Sequence, residues 1–144
     1  RSKLILDCEI VEGNPKDSNF YEGVLERVRS DYGIRPRDMV SDGAYASLRN
    51  QEKAKEYGIV NIVFNKIVGS LKNVVQSVHM ETRLKKWRSG MEAVISNVKR
   101  GFNLFRCDWK GREHFDAKVL WSVIAYNIRV MTSFMLGKLM PQPR

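Results

Sequence analysis

Six consecutive residues, Ile59-Val60-Asn61-Ile62-Val63-Phe64, limit what this chain can fold into more than any other feature. A short apolar run rich in β-branched side chains reads as a strand buried inside an α/β sheet. A helix from about Ser47 to Tyr57 precedes it, with Gly58 at the C′ position to close it. Ahead of that helix, Met39-Val40-Ser41 forms a short strand that runs into Asp42-Gly43. Strand, helix and strand in that order predict two parallel strands joined by a crossover helix.

The flanking segments extend the pattern. Lys3 to Val11 mixes an apolar run with partial alternation and is ended by Gly13-Asn14-Pro15, which predicts one more strand at an antiparallel edge. Phe20, Val24, Leu25 and Val28 recur at helical spacing between Asp17 and Asp31, with Ser18 or Asn19 as the N-cap and Gly33 as the stop. Beyond Phe64 the chain turns helical and basic. Residues 65–78 give no single pattern, a long helix covers Met80 to about Lys99, and residues 103–111 form a basic, aromatic linker. A last helix starts at Arg112 or Phe115 and runs to Leu136, stopped by Gly137 and the Pro141/Pro143 tail. The expected class is α/β: a small mixed sheet with flanking helices in about 1–66 and a helical half in about 67–144, all within one domain.

The most apolar stretch, Val119 to Leu136, is interrupted by Asn127 and Arg129 and is expected to be a buried amphipathic helix rather than a membrane span. Trp121, Tyr126 and Met131 on it are assigned to core packing. The chain opens Arg1-Ser2-Lys3 with neither an initiator Met nor a signal peptide, so its start reads as a cut inside a longer polypeptide.

Charge narrows the class of partner. Twenty-five Lys and Arg against sixteen Asp and Glu leave a net charge of +9. Such a surplus favours a polyanion, because each cation set on a phosphate releases condensed counterions. Cys8 and Cys107 are far apart and fit free thiols in a reducing compartment. Neither they nor His79 and His114 stand at zinc-ligand spacing.

Two carboxylates occupy informative positions. Asp42 follows a strand at the end where open α/β sheets place their ligands, although Asp-Gly is also a common turn pair. Glu92 lies mid-helix, and at 100° per residue Arg88, Glu92 and Lys99 share an arc of roughly 40°. Met91, Val94, Ile95, Val98 and Phe102 form an apolar stripe beside them. That face suits either a metal ligand with phosphate-holding neighbours or a solvated stripe steadied by an Arg88-Glu92 pair. Asp17 is a turn or cap residue, with an approach to a metal as the alternative. Trp87, Phe105 and Trp109 stand among Lys85, Lys86, Arg106, Lys110 and Arg112, an arrangement that serves base stacking or core packing.

These residues resemble a known family. Glu12-Gly13-Asn14-Pro15-Lys16-Asp17-Ser18, then Ser41-Asp42-Gly43-Ala44-Tyr45-Ala46-Ser47 with Asn50, resemble the centre of DDE transposases of bacterial insertion sequences. Arg88, Glu92 and Lys99 match the spacing around the third acid of that triad. Lys99-Arg100, Leu104, Arg106-Cys107, Trp109, Gly111 and Ile124-Ala125-Tyr126-Asn127 resemble one branch's C-terminal end. The family's Tyr three residues before the Arg is Lys85 here.

The resemblance implies the C-terminal part of an RNase H-like catalytic domain with a two-metal site for Mg²⁺ or Mn²⁺. By motif position Asp42 and Glu92 are its catalytic, metal-binding acids, while Arg88, Lys99, Arg100, Arg106 and Lys85 bind DNA. The implied reaction is phosphodiester hydrolysis at transposon ends followed by strand transfer into target DNA. The first acid belongs upstream of the strand at Lys3 to Val11, so the chain alone is expected to be inactive; Asp7 is read as a strand residue. DNA is the expected partner, a homodimer on paired ends is a further one, and the location is cytoplasmic. The alternative function is a non-catalytic basic DNA-binding remnant, and a third reading is a basic scaffold for protein partners.

Overall fold

The structure is a computed structural model that describes residues 3–67, 69–104 and 110–139. Its elements are α1 (Tyr21–Ser30), β1 (Asp38–Asp42), α2 (Leu48–Glu56), β2 (Asn61–Asn65), α3 (Val78–Gly101) and α4 (Arg112–Leu139), with 3-10 turns at Asp17–Phe20 and Gly43–Tyr45. The fold is mixed α/β: a two-stranded parallel sheet, four α-helices and a helical C-terminal half. The chain divides into two compact units, Val11–Gly90 and Arg1–Ile10 with Met91–Arg144.

In the unit Val11–Gly90, β1 and β2 pair in register from Asp38 opposite Asn61 to Asp42 opposite Asn65. The crossover helix predicted between them is α2. Ser47 caps it, its Oγ accepting the Asn50 N–H at 3.1 Å, and Gly58 follows it with a φ of 79°. Only a residue without a Cβ adopts that left-handed geometry at no steric cost. Residues 61–64 are fully buried, and Ile62 and Phe64 join Tyr21, Leu25, Ala54 and Ile59 in the core. The Tyr21 ring packs 5.8 Å from Phe64 and 6.3 Å from Tyr45, in tilted geometries favourable for aromatic pairs.

Polar side chains close the open edge of β2. Ile62 exchanges two backbone hydrogen bonds with Val74, at 2.7 and 3.0 Å, in a single antiparallel bridge. Asn73 Oδ1 accepts the Phe64 N–H at 2.8 Å, and Asn61 Oδ1 accepts the Gln76 N–H at 2.8 Å. Residues 73–76, within the stretch of ambiguous pattern, thus act as a hydrogen-bonded cover for an edge that would otherwise expose unpaired donors.

The other unit has a smaller core of Val94, Val98 and Tyr126, with Ile5, Met91, Phe102, Leu104 and Val130 packed against it. The predicted strand at Lys3 to Val11 is absent: the segment is non-helical and unpaired with any strand among the described residues. A strand needs a ladder partner, and here the Asn127 side chain substitutes for one. Its amide accepts from Ile5 N–H at 2.9 Å and donates to Ile5 C=O at 2.7 Å.

Three smaller expectations also change. The first helix begins with a 3-10 turn at Asp17–Phe20 without a side-chain cap, so neither Ser18 nor Asn19 is its N-cap. Within the α3 stripe Ile95 is exposed, whereas Val94 and Val98 are buried. On α4 Tyr126 is buried, but Trp121 is 69% and Met131 52% exposed. A helix that is apolar on most sides buries only the stripe its neighbours cover. α4 is long and apolar enough by composition to cross a membrane, and it also runs through Gly137 to Leu139.

Candidate active site at the end of strand β1

Asp42 is the last residue of β1, at its carboxyl end. Its Oδ1 accepts the Gly43 N–H and starts the 3-10 turn Gly43–Tyr45, a bond that pins the carboxylate to its own backbone. Its Oδ2 lies 2.8 Å from Arg88 Nη2 on α3. The Arg88 side chain is 15% exposed and the Asp42 side chain 47%, so a largely buried guanidinium faces a half-open carboxylate. Charge-assisted bonds of this kind are short and directional.

Glycine is required next to Asp42. A Cβ at Gly43 would stand 2.6 Å from the carbonyl oxygens of both Asn65 and Lys66, closer than any real contact. The two strand ends therefore approach as tightly as they do only because position 43 has no side chain. Lys66 itself turns away in the left-handed region, with a φ of 57°.

Asn50 holds the next layer. Buried in α2, its Nδ2 donates to the Ser18 and Tyr45 carbonyl oxygens, each at 2.9 Å. One side chain thus joins the Asp17–Ser18 turn, the turn after Asp42 and the crossover helix. The Tyr45 hydroxyl has its pKa raised, mainly by burial and further by the carboxylates of Asp17 and Asp42, with Arg88 opposing them. The Asn50 bridge sets the Asp17–Ser18 turn beside the turn that follows Asp42.

The other candidates are placed as follows. Lys85 pairs with Glu81 at 2.7 Å, one helical turn earlier, and this bond first, then the Asn73 amide, lowers the Glu81 pKa. In the other unit, Glu92, Lys99 and Arg100 are exposed on α3 and, with Ile95 and Ser96, line a shallow depression of about 260 Å³. Arg106, with Phe105, Cys107 and Trp109, lies outside the described residues. Trp87 is 44% exposed.

In the sequence Asn50 stands out only as part of a motif, and nothing there assigns Asn61 or Asn73 a role. Their signal was present as polar residues inside or beside apolar segments, since a buried amide must find partners.

A family model described as a transposase DDE domain matches residues 1–128. The chain belongs to the DDE transposase family. No curated protein and no solved structure matches it. DDE transposases generally use a divalent metal, and their partner is DNA. Asp42 offers the hard carboxylate oxygen that such a cation prefers, and its half-open position gives access. Among the described residues no three His, Cys, Asp or Glu side chains form a ready metal cluster, and one Asp42 oxygen is held by Arg88. Among the described residues of the transposase chain, Asp42 therefore offers the donor chemistry without a preassembled cage.

Proposed function

We propose that this chain is the C-terminal portion of a single RNase H-like transposase domain, residues 1–144, acting by metal-dependent phosphodiester hydrolysis at transposon ends and strand transfer into target DNA. The observation that carries this reading is the Arg88-Asp42 pair. It joins the acid at the end of a parallel strand to the arginine of the Arg88-x3-Glu92-x6-Lys99 spacing, two motifs separated by 46 residues.

In this reading Asp42 and Glu92 are the second and third acids and would hold Mg²⁺ or Mn²⁺, which when bound would activate the attacking oxygen and stabilise the leaving one. Arg88 and Lys99 hold the phosphate beside the scissile bond, Arg as a planar fork and Lys as a point charge. Arg100, Arg106 and Lys85 add sequence-independent contacts to the backbone. Glu92 follows Arg88 by one helical turn of α3, and its neighbours Lys99 and Arg100 give its depression the charge expected beside a phosphate. In this reading the first acid of the triad is neither Asp42 nor Glu92, and the reaction needs all three. A homodimer on paired ends and a cytoplasmic location complete the proposal.

The test assays cleavage of a transposon-end duplex with Mg²⁺ by this chain joined to a segment that carries the family's first acid. Cleavage that disappears in Glu92→Gln, with DNA affinity nearly unchanged, supports the assignment. DNA binding that weakens with salt but never leads to cleavage leaves the non-catalytic DNA-binding remnant as the correct reading. Failure to bind DNA at low salt excludes both and favours the protein-binding scaffold.

A further inference from the structure

We infer that Arg88 is a latch on Asp42, occupying the oxygen a divalent cation needs and released to the DNA phosphate when the cation arrives. The inference rests on the reading of Asp42 as a metal ligand.

The two Asp42 oxygens are not equivalent. Oδ1 is bound to the N–H of its own neighbour Gly43, inside a turn where Gly43 lies close against the Asn65 and Lys66 carbonyls. That bond is local to the turn. Oδ2 is held from another element, by Arg88 at 2.8 Å. It is the oxygen with freedom to change partner.

A hard divalent cation binds carboxylate oxygen at about 2 Å and carries twice the charge of a guanidinium. Carboxylate lone pairs outnumber these two partners, so geometry alone does not exclude both. Electrostatics does: the Arg88 side chain is only 15% exposed, and water screens a like charge beside it poorly. Cation and guanidinium therefore compete for Asp42. The displaced guanidinium keeps its planar fork and has a phosphate as its natural next partner. Metal and DNA then bind cooperatively, and by linkage each raises the affinity of the other by the same factor.

The experiment titrates Mn²⁺ alone into the 144-residue chain and follows the free-ion signal by electron paramagnetic resonance. Wild type is compared with Arg88→Gln, Arg88→Lys, Asp42→Asn and the double variant Arg88→Gln/Asp42→Asn, all checked by circular dichroism. Arg88→Gln is expected to bind Mn²⁺ more tightly, on the order of tenfold, because the competing charge is gone. Arg88→Lys, which retains charge and stem, is expected to stay near wild type, and Asp42→Asn to lose the site in either background. Arg88→Gln binding no tighter than wild type, while Asp42→Asn still abolishes binding, overturns the latch and leaves Asp42 a ligand. Mn²⁺ binding that never depends on Asp42 overturns the ligand assignment and the latch with it. If Arg88→Gln does not fold, the linkage decides on wild-type protein: Mn²⁺ that fails to raise affinity for a short DNA duplex overturns the latch.

Discussion

The two units of this chain solve the same problem with different means. Val11–Gly90 surrounds a buried core of Tyr21, Leu25, Ile62 and Phe64 with side-chain amides, Asn50 and Asn61 buried and Asn73 half-buried, each bonded to a backbone group of another segment. Among the described residues, Arg1–Ile10 with Met91–Arg144 packs a core of Val94, Val98 and Tyr126 and leaves Trp121, Ile124, Ile128 and Met135 exposed along α4. Apolar burial sets how much stability a unit has, while buried amides set which segments must meet. The first unit has both, which is why the Asp42 turn is held so firmly.

That contrast is open to direct attack by mutation. Phe64→Ala removes the centre of the larger core and is expected to lower stability by about 3–5 kcal/mol in denaturant unfolding. Val94→Ala, its counterpart in the smaller core, is expected to lower it by about 2 kcal/mol. A larger loss from Val94 than from Phe64 would reverse the ranking of the two cores.

Asn50→Ala leaves the Ser18 and Tyr45 carbonyls without their donor and is expected to reduce stability by about 2 kcal/mol. Asn127→Ala, made where Ile5 is only half-buried, is expected to have about half that effect. Hydrogen exchange should separate the two, because only Asn50→Ala is expected to deprotect the amides of the turn after Asp42.

The smallest effect is electrostatic. The Glu81 carboxyl is held below the usual carboxylate range, owing first to its bond with Lys85 and then to the Asn73 amide. A carboxyl depressed in the folded state adds stability above its unfolded pKa, and this is lost as pH falls through the folded value. Thermal melts of Glu81→Gln are therefore expected to lie below wild type near neutral pH and to converge with it at acid pH. The gap should be a few tenths of a kcal/mol at most, since Lys85 is exposed and Glu81 only half-buried, so water screens the pair. A gap that persists in acid would place the stabilisation in packing instead.

Local pattern determined much of this protein without any structure. The apolar run ending in Phe64, the Ser47 cap and the Gly58 stop are properties of adjacent residues, and they specify the parallel strand pair with its crossover. The transposase motifs were equally legible, because each is a short string with its own spacing. Tertiary structure alone decided that Arg88 meets Asp42 across 46 residues. It also decided that Asn50 ties two turns together, and that Lys3 to Val11 rests on Asn127 instead of a ladder. The physical reason is range: propensities, caps and turns act over a few residues. A strand's partner, an amide's acceptor or a carboxylate's counter-ion depends on which distant groups the folded chain brings within 3 Å or so.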